Sequence, residues 1–166
     1  MSYIDKAAYL GVYGSADSTM DDTTFNRLCY DACRKLDMAT TGVDGWKKLR
    51  RSPPVDADDL EAVKRCACQL VHLMWQIETA ERASNQGRGY TETANGLRGK
   101  VVSSVSAGNE TISYATGNTG VATLIDKALA DKSVRDKLFA DTITEYLSGI
   151  KDANGVNLLY MGLYPC

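Results

Sequence analysis

The chain has a single histidine, His72, in 166 residues, which leaves little room for a Ser-His-Asp or Cys-His catalytic arrangement. No G-x-S-x-G elbow is present to present a nucleophilic serine. An excess of either charge is also missing: 19 Lys and Arg against 21 Asp and Glu give a formal net charge of -2. No global basic field draws the chain to nucleic acid, so any such contact must be local. The opening MSYIDKAAYL lacks a basic leader followed by an apolar run, and no window approaches a membrane-spanning length. The expectation is a soluble product made in the cytosol, with its five cysteines as reduced thiols. Phosphate loops are missing too. Gly99-Lys100 resembles the end of a Walker A loop, but Ala94 stands where its first glycine belongs and Val101 follows the lysine. Gly87-Arg88-Gly89 lacks the third glycine of a dinucleotide fingerprint.

What is present is one long apolar-seamed stretch, residues 56–85. Leu60, Val63, Ala67, Leu70, Met74 and Ile77 recur at steps of three and four, and Cys68, Val71 and Trp75 form a second strip beside them. A helix apolar on two adjacent sides is buried among several neighbours, so the rest of the chain is expected to wrap around it. Asp56 is placed to cap it, Val55 and Leu60 to staple its start, and Asp58 and Asp59 to complement its dipole. Pro53 and Pro54 bar any continuation from an earlier helix.

Taken in order, residues 2–14 predict a short apolar arm or helical turn carrying Tyr3, Ile4, Tyr9, Leu10 and Tyr13. Asp21 or Asp22 then starts a helix to about Met38, with Phe25, Leu28, Cys29, Ala32, Cys33 and Leu36 on its apolar face. Residues 40–54 read as a connecting loop with a basic cluster at Lys47, Lys48, Arg50 and Arg51. Residues 86–100, rich in glycine and carrying Arg88, Arg98 and Lys100, read as an exposed, mobile loop. The alternation of Val101, Ser103 and Val105, then Ala107-Gly108-Asn109, then Ile112 and Tyr114, predicts a β-hairpin near 101–115. Helical periodicity returns over 121–129, pauses near Asp131, and resumes after Ser133, where Ser133 and Asp136 have capping-box spacing. That last helix carries Leu138, Thr142, Tyr146 and Leu147 and ends at Gly149. The tail holds Leu158, Leu159, Tyr160, Met161, Leu163 and Tyr164, and an apolar end either folds back on its own domain or docks on a partner. The whole is one domain, mainly α: a small helical bundle around one long central helix with an inserted β-hairpin. Within it, residues 1–20 form an arm, 21–150 the bundle and 151–166 the tail.

Cys29 with Cys33 and Cys68 with His72 are two i,i+4 pairs that could supply a Cys3His set for zinc, as a zinc-structured protein or zinc-dependent enzyme would need. The plainer reading is that the cysteines belong to apolar helix faces. Paired acids such as Glu78 and Glu81 fit solvated faces. The basic clusters at 47–51 and 88–100 could meet phosphate or an acidic surface, though most such runs are simply solvated. The expectation is a binding protein, with no cofactor and no catalytic residues.

The blocks SYIDKAAYLGVYG, FNRLCYDACRKLDMATTG, EAVKRCACQLVHLM, VSAGNETISYAT and EYLSGIKDANGVNLLYMGL, in that order, resemble the head-tail connector (adaptor) proteins of tailed double-stranded DNA bacteriophages. The likeness covers nearly the whole chain. Its most telling pieces are the helix ending in LDMATTG and the tail NGVNLLYMG. The chain departs from the smallest members in its extended helical pair over 121–149 and in the WKKLRR segment. The resemblance implies a structural virion protein of the neck, made in the host cytoplasm and assembled as a homo-oligomeric, twelvefold ring beneath the portal. Such a ring extends the channel for double-stranded DNA, without sequence specificity and without a membrane, and offers a platform to a stopper or tail-completion protein. It also implies that the tail residues Leu158, Leu159, Tyr160, Met161, Leu163 and Tyr164 reach the portal and that Arg88, Arg98 and Lys100 face the channel. The alternative is a small helical regulatory binding module that is not incorporated in the particle.

Overall fold

The computed structural model describes residues 2–14, 20–87, 90–93, 96–99 and 123–162. Among them six helices and one strand pair follow in the order α1 (Lys6–Tyr13), α2 (Asp22–Ala39), α3 (Lys48–Arg51), α4 (Ala57–Gly87), β1 (Tyr90–Thr93), β2 (Gly96–Gly99), α5 (Leu124–Ala130) and α6 (Lys132–Leu147). The class is mainly α. No helix among the described residues is long and apolar enough to cross a membrane.

The centre is α4, with α1, α2, α5 and α6 packed around it. Asp56 caps it as its position predicts, accepting from the amides of Asp58 at 2.9 Å and Asp59 at 3.3 Å. Val63, Ala67, Leu70, Met74 and Ile77 are buried, as are Cys68 and Val71 of the second strip, while Leu60 and Trp75 are partly covered. Cys66 and Leu73 are buried as well, so the helix is enclosed on more sides than two strips require. Val55 stands 79% exposed, and the expected staple with Leu60 has little surface to bury.

Helix α2 lays its whole expected apolar face, from Phe25 to Leu36, into the core. Asp21 caps it, its carboxylate accepting from the Thr24 amide at 2.7 Å. Of the two readings of the opening segment, the helical one holds for Lys6–Tyr13. Asp5 accepts from the Ala8 amide at 2.8 Å, and Tyr9 is buried with its ring 5.7 Å from that of Phe25.

Two starts differ from the expected ones. α5 is capped by a reciprocal box in which the Thr123 hydroxyl accepts from the Asp126 amide and the Asp126 carboxylate accepts from the Thr123 amide. α6 is capped by Asp131, which accepts from the Ser133 amide at 2.7 Å, so Ser133 is not the cap and Asp136 pairs with Lys132 instead. Gly149, at φ +85°, makes the left-handed turn after α6. Phe139, Thr142, Ile143 and Leu147 are buried there, with Leu138 and Tyr146 partly covered.

The hairpin expected near 101–115 lies outside the described residues. The strand pair that is described sits earlier, inside the stretch expected to be a loop. There α4 continues to Gly87, and β1 and β2 pair antiparallel with Tyr90 opposite Gly99 and Thr93 opposite Gly96. Tyr90, Thr91 and Thr93 favour extended backbone, and the glycine content of the stretch masks that preference.

Candidate partner-binding surface

The C-terminal segment is built from the turn KDANGVN. The Asp152 carboxylate accepts from the amides of Asn154 and Val156, both at 2.9 Å, and Gly155 takes φ +78°. That turn brings the Leu158 amide to the Ile150 carbonyl at 2.9 Å and puts the Leu158 side chain fully in the core. Leu159 is partly covered and borders an apolar groove of about 510 Å³ with Met38, Phe139, Ala140 and Ile143 between α2 and α6. Only then does the segment surface: Tyr160 and Met161 are 51% and 54% exposed. The expected docking set is therefore split. Leu158 serves this chain's own core, Tyr160 and Met161 form surface, and Leu163 and Tyr164 lie outside the described residues.

Tyr160 and Met161 rest on the loop before α3. The Val43 amide donates to the Met161 carbonyl at 3.3 Å, and the Lys48 ammonium donates to the Tyr160 carbonyl. Val43 itself is exposed, so Val43, Tyr160 and Met161 make one apolar surface patch.

Of the basic cluster at 47–51, Lys47, Arg50 and Arg51 are exposed, as a solvated run would be, and Lys48 alone is buried. Lys48 is 1% exposed, and loss of hydration there lowers its pKa, against a smaller pull upward from Asp152 and Asp44. Arg50 pairs with Asp37, whose other oxygen accepts from the Tyr3 hydroxyl at 2.5 Å. Burial and the neighbouring Asp37 push the Tyr3 hydroxyl pKa up, which keeps it a proton donor. The Arg51 guanidinium lies 4.6 Å from the Trp46 ring centre. None of these polar contacts was visible in the sequence, because the partners lie 34 and 112 residues apart.

Of the expected channel-facing residues, Arg98 lies on β2 opposite Thr91, while Arg88 and Lys100 fall outside the described residues. The Cys3His set does not assemble. Among the described residues no three His, Cys, Asp or Glu side chains come together to hold a metal ion. The Cys29 thiol contacts the Ser2 hydroxyl at 3.1 Å and the Ile4 carbonyl at 3.7 Å. Cys29 and Cys33 hydrogen-bond to each other, which favours one thiolate on Cys33 and opposes a second on Cys29. Burial pushes Cys68 up to about 11. His72 turns towards α1: its ring stacks on Tyr13 at 4.1 Å, Nδ1 lies 3.2 Å from the Tyr9 hydroxyl, and Nε2 lies 2.9 Å from the Gln76 amide nitrogen.

Comparison of the chain with family models, with curated proteins and with solved structures gives no match.

Proposed function

We propose that the chain is a structural protein of the neck of a tailed double-stranded DNA phage. Copies would form a twelvefold ring that joins the portal to the stopper or tail-completion protein and continues the DNA channel. The observation that supports this best is the division of α4. The helix is 31 residues long, roughly 46 Å, against 18 residues, or about 27 Å, for α2. Among its described side chains the last buried one is Ile77, and Thr79, Glu81, Arg82 and Ala83 are exposed. The helix thus outruns the core it organises and carries β1 and β2 at its far end. A ring subunit needs a rigid body and an element that reaches its neighbour, and one helix serving both links them stiffly.

In this reading Tyr160, Met161, Leu163 and Tyr164 meet the portal, whereas Leu158 and Leu159 hold the tail's root to the subunit. Arg88, Arg98 and Lys100 face the channel, where contacts to the DNA backbone are independent of sequence. Each contact is weak alone, and a preformed portal template makes many copies bind together. No catalytic step and no cofactor is involved.

The test is to mix the purified chain with assembled portal and image the product. A ring of subunits seated on the portal, formed from a chain that is monomeric when dilute, is the expected result. A chain that neither seats on the portal nor occurs in purified particles would instead be a regulatory binding module.

A further inference from the structure

Three successive residues of α3 are committed to three parts of the molecule. Lys48 donates to the Tyr160 carbonyl, Leu49 is buried in the core, and Arg50 pairs with Asp37, which also holds the Tyr3 hydroxyl. Two residues on, the Ser52 hydroxyl accepts from the Asn154 side-chain amide at 2.9 Å, and the Ser52 carbonyl accepts from the Ala153 amide at 3.4 Å. Both ends of the chain therefore converge on a single helical turn of four residues, which has no side-chain cap of its own. A turn that short has little intrinsic stability. Its conformation is set by what it holds.

The two ends are held unequally. The C-terminal strip 160–162 is attached through main-chain hydrogen bonds at Tyr160 and Met161, with both side chains about half exposed. It is hinged on the fully buried Leu158. At Gly42 a Cβ would lie 3.1 Å from the Gly162 carbonyl and 2.8 Å from the Asp44 carboxylate, so backbone rests directly on backbone there. If the strip lifts, the Lys48 ammonium loses its carbonyl acceptor and is left to the carboxylates of Asp44 and Asp152, the other charges that act on it. Re-pairing it with them shifts α3. That shift moves Leu49 and pulls Arg50 from Asp37, which also holds Tyr3.

We propose that α3 couples the two chain ends, so that release of residues 160–162 from Lys48 loosens residues 2–4 from Asp37, and release of residues 2–4 loosens the C-terminal strip in turn. A partner that takes up Tyr160 and Met161 would then be sensed at the opposite end of the chain. The proposal stands on contacts within one subunit and holds or fails independently of the ring reading.

Hydrogen exchange on the full-length chain, read amide by amide, tests it. The Val43 amide, bonded to the Met161 carbonyl, reports the C-terminal strip. The Tyr3 amide, which bonds to Cys33, reports the N-terminal one. Lys48→Met keeps the volume and removes the donor. It should speed exchange at both amides, by about fivefold or more at the remote Tyr3, and leave Leu70 and Val71 unchanged. Tyr3→Phe should speed exchange at Val43 by a comparable factor, because coupling is reciprocal. Should Lys48→Met fail to fold, Gly42→Ala crowds both the Gly162 carbonyl and the Asp44 carboxylate and serves in its place as a perturbation of the strip. Variants that each accelerate only their own end would overturn the proposal, and so would variants that accelerate neither.

Discussion

One helix, α4, spans two environments. From Val63 to Ile77 every turn buries side chains against α1, α2, α5 or α6. Beyond Glu78 no described side chain is buried, and the contacts that remain are polar or cation-π ones such as the Arg82 guanidinium 5.7 Å from the Trp75 ring. The boundary is marked by Arg27 of α2, whose two guanidinium nitrogens reach both oxygens of Glu78 at 2.7 Å. The inner length is held by packing, whereas the outer length is held by its own backbone hydrogen bonds and by continuity with the inner one. The outer length is therefore free to serve a surface other than the subunit's own core.

Proline is the sharpest way to separate the two. Ala67 is fully buried, and Ala67→Pro should abolish cooperative folding, since a mid-helix proline costs ~3 kcal/mol or more before any packing is lost. Ala83→Pro should leave the thermal unfolding of the bundle nearly unchanged while preventing ring formation. Calorimetry with electron microscopy reads both, and an equal loss of stability from the two substitutions would break the comparison. Leu70→Ala comes next, at about 3 kcal/mol by urea unfolding, because Leu70 is completely enclosed. Arg82→Ala on the outer length should stay within about 0.5 kcal/mol.

Smaller effects belong to the ends of elements. Thr123→Ala removes the box that starts α5 and should cost about 1 kcal/mol in the same assay. The Arg27–Glu78 pair at the boundary, with Arg27 half exposed, should show a coupling below about 1 kcal/mol in a double-mutant cycle and weaken with salt.

The exposed aspartates give a pH dependence. Hydrogen bonds to backbone amides hold the carboxyls of Asp21 and Asp126 below the usual range, and bonds from Ser133, through its side chain and amide, do the same for Asp131. A carboxyl whose folded pKa is lowered contributes stability above its unfolded value and loses it as pH falls through the folded value. Melting temperature should therefore drop below about pH 4. Asp131→Asn, which keeps the cap without the titration, should shallow that drop, and an unchanged slope would contradict the assignment.

The bundle was legible because its signals are local. The α2 and α4 faces repeat at helical spacing, and Asp21 and Asp56 stand directly before them, so pattern and cap agree. Where two local signals competed, spacing alone chose wrongly. Thr123 with Asp126 and Ser133 with Asp136 have the same separation, but Asp131 captures the Ser133 amide first. The candidate surface was less legible, because burial there is decided by distant partners. Nothing in KKLRR separates the fully buried Lys48 from the exposed Lys47 until Tyr160 is in place. An apolar tail likewise does not show that Leu158 ends inside and Met161 outside. The strand pair at 90–99 was hidden by glycines that read as a loop.

The most direct test of the central claim is a cryo-electron microscopy reconstruction of the neck of the purified particle, with mass spectrometry identifying its components. The account predicts a ring of this chain beneath the portal, with each bundle held to its neighbour through the outer length of α4. A neck that lacks the chain, or a ring whose contacts leave the outer length of α4 free in solvent, would contradict it.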